Sequence, residues 1–239
     1  GDMGTSYSYQ EPVKDLIADK LPVTFTMTAI AFVFILFFSI PIGMLSVHYE
    51  NRWIDKLFLI GNQVTMSIPP FFVGMIFTVI FGLTLRLFVP GGYISYTENV
   101  SGFLGYLIFP SLALALPKAA MTAKMFRNAL LSEMHKDYIR TAKSRGNGPW
   151  RILICHAFRN GILPVITFLG MAAADLIANS IVIEQVFGIP GLGRTLISSI
   201  SNRDYPVVEA VIVLIAAVIL ILNTVVDLLY RALDKRIVL

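Results

Sequence analysis

Long apolar stretches alternate with short polar ones along the whole chain, and the apolar stretches are too long for a soluble core. A membrane-crossing helix needs about 20 mostly apolar residues. Five stretches meet that length, at about 23–47, 57–85, 103–125, 162–187 and 207–230. They predict an all-α, polytopic membrane helical bundle with five spans over residues 23–239, preceded by a polar segment at 1–22. The second stretch is interrupted by Ser67-Ile68-Pro69-Pro70, and the third carries Pro110 and Pro117. Each proline removes a backbone donor, so a kink is expected at Pro69-Pro70. Kinks at membrane depth are tolerated where neighbouring helices or cavities satisfy the freed carbonyls. Ordinary bundle packing and a gating hinge both fit these prolines.

Composition agrees with that pattern. The 239 residues are 56% hydrophobic and only 14% charged, against about 25% charged in a typical soluble domain. The single cysteine, Cys155, excludes an intrachain disulfide and a metal site built on cysteines alone. The chain starts at Gly1, without Met and without the basic-apolar-small pattern of a signal peptide, so a preceding segment is expected.

The net charge of +4 invites a nucleic-acid reading, which the placement of the charges removes. With the N-terminus outside, the inner segments hold Arg52, Lys56, Lys118, Lys124, Arg127, Lys136, Arg140, Lys143, Arg145, Arg151, Arg159, Arg231, Lys235 and Arg236. The outer segments hold Lys14, Lys20, Arg86, Arg194 and Arg203. That asymmetry is the positive-inside bias of a multi-pass membrane protein. It places the C-terminus and the long loop at about 129–160 on the cytoplasmic side, with membrane lipid as the surrounding partner and no nucleic acid.

Enzyme motifs are missing. No His-Glu-x-x-His or Gly-x-Ser-x-Gly occurs, and no Gly-x-x-x-x-Gly-Lys-Ser/Thr. Gly188-Ile189-Pro190-Gly191-Leu192-Gly193 follows an apolar span rather than a strand, so a re-entrant turn suits it better than a phosphate loop. No catalytic residue, cofactor-binding residue or metal ligand is assigned. His48, His135 and His156 share no helical face and read as solvated or interfacial.

The long inner loop carries the strongest signal. Ala129 to Ser144 has helix-forming composition, with Leu130, Leu131, Met134, Tyr138 and Ile139 for an apolar face. Gly146, Asn147, Gly148 and Pro149 break it, and Trp150, Ile152, Leu153 and Ile154 begin a second short helix. The loop therefore reads helix, Gly-rich turn, helix: a compact knob presented to the cytoplasm.

The segment Tyr138-Ile139-Arg140-Thr141-Ala142-Lys143-Ser144-Arg145-Gly146, with Arg151, His156-Ala157-Phe158-Arg159-Asn160 and Leu163-Pro164, resembles the coupling loop of ATP-binding-cassette importer permeases. It is most similar to the branch that imports dipeptides, oligopeptides and nickel. Gly1-Asp2-Met3-Gly4-Thr5-Ser6, Glu184-Gln185-Val186-Phe187, Pro190-Gly191-Leu192-Gly193-Arg194, Asn202-Arg203-Asp204-Tyr205-Pro206, Asp227, Leu233-Asp234 and Arg236 extend the resemblance over nearly the whole chain. The general permease motif opens Glu-Ala-Ala where this chain has Arg140-Thr141-Ala142, a variant common in the peptide branch.

The resemblance implies a permease in the cytoplasmic membrane of a prokaryote, with a further N-terminal span before Gly1. It implies a second, non-identical permease, two ATPase subunits that bind the ATP and Mg, and an extracytoplasmic solute-binding protein. Arg140, Thr141, Ala142, Arg145, Gly146 and Trp150 would sit in a groove of the ATPase, and Glu184, Pro190, Gly191 and Gly193 would shape the outer loop. Dipeptides, oligopeptides, nickel and metal chelates all stay open as solutes. The alternative, a self-sufficient secondary transporter or channel, calls for an inverted repeat or a discontinuous helix pair, and neither is clear.

Ionisable groups inside spans usually face a pathway or a partner. Asp175 lies near the middle of the fourth stretch, with Asn179 one turn on and Met171 and Ser180 near the same face. These side chains either line the translocation path, favouring a cationic or amine-bearing solute, or make a helix–helix hydrogen bond.

Overall fold

The computed structural model describes residues 3–233, without the side chains of Asp227 and residues 229–233. Gly1, Asp2, Asp234 and Arg236, and the side chains of Asp227, Arg231 and Leu233, therefore lie outside the described residues. In chain order, α1 spans Val13–His48, α2 Trp53–Ser67, α3 Pro70–Phe77, α4 Val100–Met134 and α5 Asp137–Ser144. Then come α6 Pro149–Ile152, α7 Phe158–Gly161, α8 Leu163–Phe187, α9 Leu192–Ser201 and α10 Tyr205–Leu233. π-helical turns prolong α3 over Thr78–Thr84 and join α6 to α7 over Leu153–Ala157.

The helices α1, α4, α8 and α10 are long and apolar enough to cross a membrane, and α2 with α3 makes a fifth span if their 98° bend lies within one crossing. The kink expected at Pro69-Pro70 is thus a sharp corner. Pro69 is extended at ψ 144, as a residue before proline must be. Pro70 begins α3 in its first turn, where its missing N–H removes no helical bond. Pro110 and Pro117, by contrast, lie inside an unbroken α4.

Two spans are longer than the hydrophobic pattern predicts. The first helix begins at Val13, ahead of the apolar run at 23. Its first turns are amphipathic: Val13, Leu16 and Ile17 pack in a cluster with Leu192, Leu196, Val207 and Val211, while Lys14, Asp15 and Asp19 are exposed. The polar segment 1–22 is therefore partly helical. Similarly α4 continues to Met134 rather than 125, because its charges have partners. Arg127 Nε and Nη2 donate to Asp55 Oδ1 at 2.8 Å and Oδ2 at 2.7 Å, and Lys124 Nζ donates to Gln63 Oε1 at 3.0 Å. The helix expected from Ala129 to Ser144 is divided at His135-Lys136 into the end of α4 and a separate α5.

Among the described residues two compact units are formed, 3–33 with 69–115 and 173–222, and 34–68 with 116–172 and 223–233. In the first, Ser111 Oγ donates to the Met27 carbonyl at 2.9 Å, and Tyr106 Oη donates to the Phe187 carbonyl at 2.7 Å. In the second, Phe126 is fully buried and meets Phe158 edge-on at 5.6 Å. Glycines set the helix spacing there. A Cβ at Gly43 would lie 2.7 Å from Phe126 Cδ1, and one at Gly170 would lie 2.2 Å from Val226 Cγ2. Small residues at such crossings let helices approach closely without a hydrophobic driving force.

Candidate functional site

The loop between α4 and α8 is built as a braced, exposed turn. On α5, Ile139 and Ala142 are buried, and Arg140, Thr141, Lys143, Ser144 and Arg145 are exposed. The helix stops at Gly146, whose φ of 79 is the left-handed conformation that glycine adopts without steric cost. Gly146 N donates to the Lys143 carbonyl at 2.9 Å, and Asn147 Nδ2 donates to the Ala142 carbonyl at 3.0 Å, so the last carbonyls of α5 are capped. Pro149 opens α6 in its first turn. A cleft of ≈ 350 Å³ follows the inner side of this turn, lined by Tyr138, Thr141, Ala142, Arg145, Asn147 and His156.

Anchors that the linear pattern does not show hold the turn. His48, at the end of α1, stacks on Trp150 with ring centroids 4.2 Å apart and planes at 20°. His48, expected to be solvated or interfacial, is half-buried, with its ring against that of Trp150. Glu133, in the last turn of α4, accepts from Lys136 Nζ at 2.6 Å and from Tyr138 Oη at 2.7 Å. Asn160 Nδ2 donates to Tyr138 Oη at 3.2 Å. Burial, together with the bond it donates to Glu133, pushes the Tyr138 hydroxyl above its ordinary value, so it stays a neutral donor.

Of the residues expected to shape the outer loop, Glu184 is a buried carboxylate around which the start of α9 closes. Glu184, near the end of α8, is fully buried. Its Oε1 accepts from Thr24 Oγ1 at 2.6 Å. Its Oε2 accepts from Gly193 N at 2.7 Å and Arg194 N at 3.1 Å. Leu192 N donates to Thr24 Oγ1 at 2.9 Å. The orphan amides in the first turn of α9 are therefore capped by side chains from α8 and α1. Space is tight: a Cβ at Gly191 would lie 2.3 Å from Glu184 Cδ, and one at Gly193 would lie 2.3 Å from Ile181 Cα. Pro190 precedes the cap and, having no N–H, donates nothing to the carboxylate. Past the other end of α9, buried Asp204 accepts from Ser6 Oγ at 2.5 Å, Tyr7 N at 3.1 Å and Ser8 N at 3.2 Å. Burial opposes its charge, but these donors outweigh burial and hold the carboxyl below its ordinary value.

On α8, Met171, Asp175 and Asn179 share the exposed side, and Asn179 Nδ2 donates to the Asp175 carbonyl at 2.8 Å. Ser180 does not belong with them. It is buried and donates to the Ile177 carbonyl at 2.7 Å, because its position on the helix turns it to the opposite face. Sequence reasoning missed Glu133, His48 and Thr24 as functional neighbours. Thr24 lies 160 residues from Glu184 and carries no local signal. Glu133 and Tyr138 sit on either side of a helix break, which removes the periodicity that would have paired them.

Comparison with known proteins gives a consistent picture. The family described as binding-protein-dependent transport system inner membrane component matches residues 39–239. The chain is 35% identical over 236 residues to a putative peptide transport system permease protein of Brucella abortus (strain 2308), covering 99% of this chain and 75% of that one. It is 34% identical to a probable D,D-dipeptide transport system permease protein of Escherichia coli (strain K12), covering 99% and 76%. It is 33% identical to a glutathione transport system permease protein of Salmonella typhimurium (strain LT2), covering 99% and 75%. Among solved structures, the inward-facing MetNI methionine ABC transporter has a chain that superposes with a TM-score of 0.71 at 18% identity, covering 92% of this chain and 97% of that one. At that identity the likeness concerns the fold.

Proposed function

The chain belongs to the binding-protein-dependent transport system inner membrane components, and from that premise we propose that it moves short peptides or peptide-like solutes inward by alternating access. As a permease of this family it works with ATPase subunits and a solute-binding protein, and the alternative of a self-sufficient transporter or channel is not favoured. Peptide, D,D-dipeptide and glutathione permeases among its relatives support the peptide class over nickel or a metal chelate. The finer assembly is a pair of non-identical permeases above two ATPases, with the α5–α6 turn and the C-terminus on the cytoplasmic side.

One observation carries the mechanism: the basic, Gly-capped turn is exposed and yet anchored at both ends, by Glu133 on one side and the His48–Trp150 stack on the other. Arg140, Thr141, Arg145 and Trp150 are exposed there, with Gly146 shaping the reversal and Ala142 packed inward. An ATPase that closes around such a turn can displace it as a rigid element, and rigid-body displacement of packed helices is a common way to switch states. In this chain ATP and Mg stay on the partner. Asp175, Asn179 and Met171 would face the solute path. The outer α9 cap, with Glu184, Pro190, Gly191 and Gly193, would keep the external end in shape.

The test is purification of the native complex through a tag on this chain. A subunit bearing a Walker motif, with ATP hydrolysis stimulated by binding protein loaded with a dipeptide mixture, is expected. Solute uptake by the purified chain alone under an ion gradient would overturn the proposal.

A further inference from the structure

The corner between α4 and α5 holds more polar structure than a helix reversal needs. Glu133 is only 8% exposed, although it lies in the last turn of a helix that ends beside a basic loop. Its two oxygens take different partners: Lys136 at the break itself, at 2.6 Å, and Tyr138 on α5, at 2.7 Å. Tyr138 Oη then accepts from Asn160 on α7, the returning arm of the loop. One carboxylate therefore joins the end of α4, the start of α5 and, through one hydroxyl, the far end of the loop. Burying a carboxylate is costly unless its donors are in place, and bonds to a charged acceptor are among the stronger ones.

Merely holding α5 against the protein does not call for this arrangement, because Ile139 and Ala142 already bury its apolar face. Without the carboxylate, however, the non-helical His135-Lys136 break would be a hinge. A displacement of α5 would be absorbed by rotation there and would not reach the long helix above. With Glu133 in place, α5 cannot turn about the break without stretching the bonds to Lys136 and Tyr138.

We propose that Glu133 is the positioning residue that makes α4 and α5 move as one body, so that displacement of the α5–α6 turn reaches the membrane helix. This rests on the proposed docking of an ATPase at that turn. Glu133 itself touches neither solute nor nucleotide; it acts through Tyr138, Lys136 and Asn160.

The experiment uses the whole complex in lipid. Cys155→Ser removes the exposed native cysteine, and Asn128→Cys on α4 with Ser144→Cys on α5, both exposed positions, take spin labels. Their distance distribution is measured without nucleotide and with ATP plus orthovanadate. A single narrow distance in both states is expected with Glu133 present. Glu133→Ala should broaden it or add a second distance. Uptake of a dipeptide mixture should fall roughly tenfold or more, the size of losing one bond to a charged group. Assembly and basal ATP hydrolysis should persist. Glu133→Gln keeps an acceptor for Tyr138 and should recover most of the narrow distribution, a rescue that a bulk structural role would not produce.

If Glu133→Ala fails to assemble, Tyr138→Phe decides, since it keeps the ion pair and removes only the bridge to α5 and α7. Unchanged distances and uptake in the variants that assemble would overturn the inference while leaving ATPase docking intact. Absence of an ATPase from the complex of the otherwise unmodified chain would instead overturn the docking and this inference with it.

Discussion

Asp55, Glu184 and Asp204 are, like Glu133, buried carboxylates, and they show how single residues hold this chain together. Each sits where a chain reversal leaves backbone or side-chain donors that water does not reach. Removing such an acceptor leaves every donor unsatisfied at roughly 1–3 kcal/mol apiece. Glu184→Ala should therefore lower stability by about 3 kcal/mol or more, read as the midpoint of thermal unfolding in detergent, and Glu184→Gln should lose less. Gly193→Ala tests the neighbouring steric constraint. The new Cβ would meet the Ile181 backbone at 2.3 Å, which no rotamer change relieves, so a loss of about 1–3 kcal/mol or more is expected. Retention of wild-type stability in Gly193→Ala would contradict the close α8–α9 packing. Arg127→Ala would strand the Asp55 carboxylate beside Ser46 and Asn51 N, and leaving a buried charge unpaired costs roughly 3–5 kcal/mol. The double variant Arg127→Leu with Asp55→Leu should be less destabilised than Arg127→Ala alone.

At the scale of elements, the apolar runs made the spans visible, while their ends depended on contacts that a linear pattern does not contain. Charge at Lys14, Asp15 and Asp19 looks like the outside of a membrane until Leu16 and Ile17 find Leu192 and Leu196. Arg127 looks like the end of a span until it finds Asp55. Of the candidate site, the Gly146 turn was legible because a left-handed residue between two amphipathic segments has few other chemistries. Glu133 and Thr24 were not, because their partners lie across a break or a distant crossing. The N-terminal turn gives an element-scale prediction. Asp204 binds the backbone of Tyr7 and Ser8, and its folded carboxyl titrates below the ordinary 3.8. Its contribution is present above the unfolded value and is lost as pH falls through the folded one. Amide exchange at residues 6–11 should therefore quicken as pH falls below about 4, after correction for the intrinsic rate. In Asp204→Asn the exchange should be fast at neutral pH and should lose this acid dependence.

For the whole molecule the decisive question is whether the α5–α6 turn is shaped for this chain or for something outside it, and Gly146 separates the two. Among the described residues, its chain neighbours aside, nothing lies within 4 Å of a Cβ built on Gly146, so no internal clash opposes a side chain there. What remains is its φ of 79, which costs a non-glycine residue roughly 1–2 kcal/mol and Asp less than most, since short polar side chains tolerate this conformation. Gly146→Asp should therefore insert and melt close to the wild type. Against a partner it is another matter, because a carboxylate pressed into an interface without donors costs roughly 1–3 kcal/mol, or about five- to 150-fold in association. Co-purification of the ATPase and ATP-driven uptake should fall together by that factor. Gly146→Ala, more strained but uncharged, should lose more stability and less association. If Gly146→Asp assembles and transports at the wild-type rate at equal abundance, the turn is not a docking surface. If it fails to fold, the open space around Gly146 is wrong. Loss of coupling in a well-folded variant is the outcome expected of a turn whose geometry is read by another subunit.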